Sequence, residues 1–264
     1  MQLAAGPALV CDALEPFAHH FFTTRPWRLG ERSTDVRGGW EEVAAAAGVA
    51  PGQLRHLHQV HGCDVAMYRR GNTSSGDPPK ADITLTDDGS LALAVQTADC
   101  LPLLVVDRAT RAVAAAHAGW RGLAGGVPAK VVIEMASALH GRAEDLLVAI
   151  GPAIGPCCYE VGEDVRSKFV DGWPLKETDR WFRVEPAALA INPSLRSLAP
   201  GRRADRWFFD IWTCVRDTLE QIGVDRENIF TANLCTASHE SLFCSYRRDG
   251  AVAGRMAAVI KSRK

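Results

Sequence analysis

Apolar residues gather along the middle of the chain into four short runs, 91–96, 101–106, 113–118 and 146–150, each bounded by turn-forming or charged residues. Runs of that length and bounding predict strands. Between them the spacing changes. Over 126–139, Val127, Val131, Ile133, Met135 and Leu139 predict a helix that ends at Gly141, and over 210–222 a second helical pattern closes on Gly223, a residue suited to a C-terminal cap. Two stretches carry turn chemistry instead. One is 71–80 (GNTSSGDPPK); the other, 171–206 with Pro174, Pro186, Pro193 and Pro200, reads as a long irregular excursion over the surface. Strands follow one another too closely around Asp107 for a regular strand-helix alternation. The expected class is therefore α+β (mixed α/β), a single domain over 1–264 with mixed β-sheets flanked by helices.

The stretch LPLLVVDRATRAVAAAHAGW sets two of these runs on either side of DRATR, a connection of hairpin length. Folding them about Ala109 places Cys100 opposite His117 or within one residue of it. Opposed residues in an antiparallel pair hold their Cβ atoms roughly 4.5–5.5 Å apart, close enough for a thiol and an imidazole to share a metal or a proton. Small residues surround both groups, and Gly119 and Gly122 let a ligand or a second segment approach the backbone. In RHLHQVHGCDV, His56, His58 and His61 follow a strand-like alternation that stops at Gly62. If that strand ends at the same rim, His61 completes a set of two histidines and one cysteine, the composition of a catalytic zinc site with an open position. The same hairpin also suits a metal-free dyad in which His117 activates the Cys100 thiolate.

Composition narrows the partners. The 264 residues, 47% hydrophobic, suffice for a sizeable core. Thirty Lys+Arg against thirty-one Asp+Glu leave a net charge of -1, with no excess of cations to neutralise a phosphate backbone, so nucleic acid is not an expected partner. Eight cysteines in a chain this long point to free thiols and a metal ligand rather than a disulfide scaffold. No apolar run reaches membrane-spanning length, and the first residues lack the basic region of a secretory leader, so a cytoplasmic protein acting on a small molecule is expected. The oligomeric state is open.

Beyond the hairpin, blocks of distinctive sequence recur in a fixed order: QVHG (59–62), ADITLTDDG and TADCLPLLV (within 81–105), AAHAGWRGLAGGV (115–127), IGPAIGPCCYEVG (150–162), FFDIW (208–212) and SYRRDGAVAGRMAAVI (245–260). On these blocks, which cover most of the chain from Gln59 onward, it resembles the YfiH-type family, also called peptidoglycan editing factor, laccase-domain or multicopper polyphenol oxidase proteins. The resemblance implies that His61, Cys100 and His117 bind a catalytic zinc. It also implies purine nucleoside phosphorylase or adenosine deaminase activity, or the editing of UDP-linked peptidoglycan precursors. Asp99, beside the cysteine ligand, is the candidate proton carrier, with a backbone-bonding role as the alternative. Gln59, Arg25, Arg121, Arg247 and Arg248 stand in or beside family-like motifs as candidate substrate contacts, the arginines suiting phosphate.

Two departures stand out. PWRLGERSTDVRGGW follows Phe22-Thr23-Thr24-Arg25 without the family's usual opening pattern, and Phe243-Cys244 replaces a common pair of phenylalanines, a change read as packing. Three other functions compete: a metal-independent Cys-His amidase using Cys100 and His117, a copper polyphenol oxidase, and an inert scaffold acting through protein contacts. Laccase chemistry requires a histidine-rich copper cluster, which eight histidines, five of them outside the set, match poorly. An intact triad argues against the scaffold. Cys157-Cys158 is read as part of a tight structural loop, and Cys235 and Cys244 form no zinc ribbon.

Overall fold

The computed structural model describes residues 1–3, 5–27, 29, 36–71, 76–195 and 205–263. The two central apolar runs form the strands Leu101–Asp107 and Val113–Ala118, and every residue in both is buried. Continuous apolar sequence rather than alternation is what a sheet covered on both faces requires. They lie at the centre of a six-stranded sheet ordered Ile229–Thr231, Leu146–Ile150, Leu101–Asp107, Val113–Ala118, Ile83–Thr86, Val65–Tyr68. A second six-stranded sheet is ordered Gln2–Leu3, Gly6–Leu9, Ala18–Thr23, Met256–Ser262, Ala92–Thr97, Leu54–Arg55. Each sheet mixes antiparallel with parallel pairs, the latter including Leu54–Arg55 beside Ala92–Thr97 and Leu146–Ile150 beside Ile229–Thr231.

Side-chain alternation then assigns three cores. Leu104, Val106, Val113 and Ala115 face Phe22, Leu93, Val95 and Ile260 of the second sheet. The opposite face of the first sheet, with Leu103, Val105, Ala114 and Val148, is covered by the helices Val127–Leu139 and Ile211–Gln221. Phe21, Ala94 and Val259 of the second sheet pack outward against Trp27, Val43 and Ala44. The fold is thus mixed α+β, with helices on the outer faces of two packed sheets. Among the described residues no helix is long and apolar enough to cross a membrane.

Cap chemistry places the helix ends. Asp210 accepts the Thr213 N–H at 3.1 Å to open Ile211–Gln221, and Gly223, at φ +98°, ends it with the N–H of Val224 on Leu219 O at 3.0 Å. At the other helix it is His140, not the glycine, that takes the left-handed position, at φ 57°. Gly141 follows because a Cβ there would strike Asp107 Oδ2 and come within 3.2 Å of Met135 O.

The expectation of an irregular excursion over 171–206 is corrected. Leu175–Trp181 is a helix, and Phe182–Arg183 pairs with Arg206–Phe209 in a three-stranded sheet completed by Glu160–Gly162. Four prolines masked an aromatic core in which Trp181 is fully buried and Phe182 stacks on Phe209 at 4.5 Å. Residues 196–204 of that stretch, 72–75 of the first turn-rich segment, and residues 28 and 30–35 of the divergent N-terminal arm lie outside the described residues. Phe243 and Cys244 sit with Met256 in a small buried cluster, as a packing role requires.

Candidate metal centre

The hairpin register differs from the expected one. Leu101 pairs with Ala118 and Pro102 with His117, so Cys100 continues level with Gly119 and has His117 as its diagonal neighbour on the same face. The turn sets this: Asp107 Oδ1 accepts the N–H groups of Ala109 and Thr110, and Arg111 turns at φ 65°. Its centre falls between Ala109 and Thr110.

His61 does not lie on a strand. His56 stacks on Trp40 at 4.5 Å, His58 makes an isolated bridge to Lys80, and the chain turns at His61 with φ 60°. A non-glycine residue in that region is held there by its surroundings. The holder is Asp82, fully buried, whose carboxylate accepts the backbone N–H groups of Val60 at 3.2 Å, His61 at 3.0 Å and Gly62 at 2.7 Å. The same carboxylate accepts from His117 Nδ1 at 2.8 Å. One acid therefore shapes the loop that carries one histidine and orients the ring of another, leaving His117 Nε2 for the cluster.

The sulfur of Cys100 lies 3.8 Å from His61 Nε2, the two imidazoles are 4.8 Å apart between centroids at 85°, and the ligand atoms of all three residues fall within 4.8 Å of one another. His61 is exposed, Cys100 half-buried and His117 buried, so the cluster opens to one side. Burial would push the Cys100 thiol up, but hydrogen bonding and charge from His117 and His61 bring it down to about 7. Burial would likewise lower His117, and Asp82 with Cys100 raises it to about 9. For Asp82 burial is outweighed by the donors His117, Gly62 and Val60, which hold its carboxyl below the usual carboxylate range. These are reciprocal signs of one charge-coupled unit.

Gly119 is where the backbone must come close: a Cβ would stand 3.0 Å from His61 Cδ2 and 3.1 Å from Cys100 Sγ. A Cβ on Gly122 would likewise stand 3.3 Å from the carbonyl oxygen of Gly62. Gly119→Ala is expected to weaken metal binding by on the order of tenfold through displaced ligands while leaving the thermal midpoint nearly unchanged, measured by competition with a chromophoric chelator.

A cavity of about 620 Å³ opens over the cluster. Of the predicted contacts, Gln59, Asp99, Arg121 and Arg247 line it. Arg25 and Arg248 do not. Arg25 is exposed and donates to Glu240 O, while Arg248 donates to the carbonyls of Thr236, Ala237 and Phe243 and pairs with Asp249. Arg248→Ala should cost about 2–4 kcal/mol of stability in urea denaturation, because it strands three carbonyls. Gln59 clasps the backbone of Gln96, donating to its carbonyl at 2.8 Å and accepting its N–H at 2.7 Å, and so fixes the rim.

Asp99, at φ 83°, accepts from Thr236 Oγ1 at 2.5 Å, Ser245 Oγ at 3.0 Å and the Arg247 N–H at 2.6 Å. Both oxygens are engaged in tying the base of the hairpin to the segment that carries Arg247. Sequence reasoning missed Asp82, although an acid opening the apolar run of ADITLT was a signal for a paired buried carboxylate. It also passed over Arg255 and the rings of Trp120, Tyr159 and Tyr246, which line the cavity from distant parts of the chain.

Residues 26–263 match a family described as multi-copper polyphenol oxidoreductase laccase. Purine nucleoside phosphorylase YlmD of Geobacillus stearothermophilus is 34% identical over 242 residues, covering 89% of this chain and 82% of that one. Purine nucleoside phosphorylase YfiH of Escherichia coli is 37% identical over 218 residues, covering 81% and 76%. Among solved structures, YlmD from Geobacillus stearothermophilus superposes with a TM-score of 0.79 at 30% identity, covering 100% of this chain and 98% of that one. Bacillus licheniformis hypothetical protein YfiH gives 0.82 at 26% identity, covering 99% and 98%. By sequence over nearly its whole length, and by fold, this chain belongs to the laccase-like family of the YfiH and YlmD proteins.

Proposed function

We propose that this protein is a zinc-dependent purine nucleoside phosphorylase whose metal is held by His61, Cys100 and His117. The observation that carries this is the cluster itself: two imidazoles and a thiol within 4.8 Å, one imidazole oriented by a buried carboxylate, facing a cavity. Three protein ligands with an open side and a carboxylate behind a histidine are the requirements of a catalytic zinc site. Zinc there supplies Lewis acidity and an acidified bound water.

The chain's own residues supply the rest. Arg121, Arg247 and Arg255 bring cations to the cavity, and a planar guanidinium pairs with phosphate through two hydrogen bonds. Of the lining rings, the exposed Tyr246 offers a face for a purine, whereas Trp120 is covered by Arg121 and Tyr159 lies between Phe209 and Arg247. Asp99 is assigned a positioning role, its carboxylate tying the Arg247 backbone to the turn that leads into Cys100. Phosphorolysis breaks the glycosidic C–N bond, forms a C–O bond to phosphate and releases the base with a proton. Arg247→Ala keeps the backbone bond to Asp99 and should raise the KM for phosphate about tenfold, with a smaller change for nucleoside, in initial-rate assays.

The experiment is incubation of purified protein with adenosine, with and without phosphate, and chromatography of the products. Adenine and ribose 1-phosphate formed only with phosphate support the reading; no phosphate-dependent product overturns it. Inosine in either case identifies deamination at the same centre, and a reaction only on UDP-linked cell-wall precursors identifies editing. The low-lying Cys100 thiol beside His117 favours one further reading, a metal-free hydrolase, which requires activity that survives metal removal. A laccase reading finds little support: His19 and His20 bond to backbone, His56 stacks on Trp40, and the other ligand cluster among the described residues contains no histidine.

A further inference from the structure

Behind the cavity, three cysteine sulfurs meet that the proposed chemistry leaves unused. Cys157, Cys158 and Cys235 are fully buried and their sulfurs lie within 4.8 Å of one another. Adjacent cysteines make a poor chelate alone, which is why the sequence pair reads as a structural loop. The fold supplies the third thiol. Cys235 is pinned beside the 153–158 loop by its bridge to Ala153, by Thr236 N–H on Ala153 O at 3.1 Å, and by its own N–H on Asn192 Oδ1 at 2.8 Å.

We propose that Cys157, Cys158 and Cys235 form a second metal site, for a soft monovalent ion of the cuprous type. Among the described residues no carboxylate or imidazole joins the trio, so hard ions find no ligands there. Zinc would need a fourth strong donor; Ser238 Oγ, 3.5 Å from both Cys157 and Cys158, already donates to Pro193 O at 2.6 Å. A cuprous ion accepts three sulfurs in a trigonal arrangement. The Gly155 N–H points at Cys235 Sγ at 3.3 Å, as a donor to a thiolate does.

One guanidinium anchors on the trio's own loop, and a second, ion-paired with Asp249, braces the neighbouring segment. Arg247 donates to Cys158 O at 3.2 Å, and Arg248 to Thr236 O at 3.1 Å and Ala237 O at 3.2 Å. Asp99 is held by hydrogen bonds from Thr236 Oγ1, Ser245 Oγ and the Arg247 N–H, with Thr236 standing next to Cys235 in the chain. Ser238, half-buried, sits against the Cys157 and Cys158 sulfurs. Binding exchanges thiol protons for the ion, releases them to solvent and involves no change of oxidation state.

The test is anaerobic titration of the full chain with Cu(I) against a chromophoric Cu(I) chelator, followed by X-ray absorption at the copper edge. A chain carrying His61→Ala, Cys100→Ala and His117→Ala, which lacks the first centre, is titrated in parallel. The triple variant, and the wild-type chain with zinc in its first centre, are expected to take up one Cu(I) surrounded by three sulfurs. Cys235→Ser should lose that equivalent, whereas Cys214→Ala, a buried thiol elsewhere, should keep it. The wild-type spectrum stands whether or not Cys235→Ser folds. Copper bound through nitrogen in the triple variant, or no uptake against the chelator by either chain, overturns the proposal.

Discussion

Replacing Cys100 or His117 by alanine should lower turnover of a purine nucleoside by about three orders of magnitude or more, with the secondary structure retained. Removing a metal that contributes several kcal/mol to the transition state corresponds to about that factor, at 1.36 kcal/mol per tenfold. The secondary structure persists because Cys100 lies just outside its strand and His117 next to the end of its own, although His117→Ala strips the buried Asp82 of a partner and should also lower stability by about 3 kcal/mol. Initial rates and far-UV circular dichroism on the same preparations check both halves. His61→Ala should behave alike, since His61 is the exposed third member of the cluster. Full activity in any of the three would remove the centre from the chemistry.

The second large effect is expected from a residue that touches no substrate. Asp82 accepts four donors, three from the 60–62 loop and one from His117. Asp82→Asn keeps the size but loses the charge and presents an N–H₂ group where only acceptors fit. Metal affinity should fall about 10–100-fold, the range for partners that orient a ligating histidine. Asp82→Ala, which leaves buried N–H groups unpaired, should in addition cost about 3 kcal/mol or more of stability. Chelator competition and urea denaturation separate the two losses. Asn retaining full affinity would show that His117 is oriented by something else.

The hairpin was legible because two apolar runs flank a short polar turn, and that pattern admits few folds. Its register was not, because Asp107 and Arg111 set it through local turn bonds that periodicity does not weigh. His61 reached the site from the sequence only by resemblance; the alternation of His56, His58 and His61 pointed to a strand, and a carboxylate 21 residues away bends the chain instead. The helices at 127–139 and 211–221 followed from their spacing and from Gly223. Prolines hid the Leu175–Trp181 helix, because the aromatic contacts that order it come from Phe209 and Phe169. Arg25, Arg121, Arg247 and Arg248 could not be sorted by motif alone. What separates them is place: Arg121 and Arg247 line the cavity, whereas Arg25 is tied to Glu240 O and Arg248 to the carbonyls of Thr236, Ala237 and Phe243.

The most direct test of the central claim is the metal content of the purified wild-type chain by elemental analysis, combined with X-ray absorption at the zinc edge. About one zinc per chain, surrounded by nitrogen with one sulfur and lost in Cys100→Ala, is the predicted result. A chain that carries no zinc and still turns over its substrate after exhaustive chelation would contradict it.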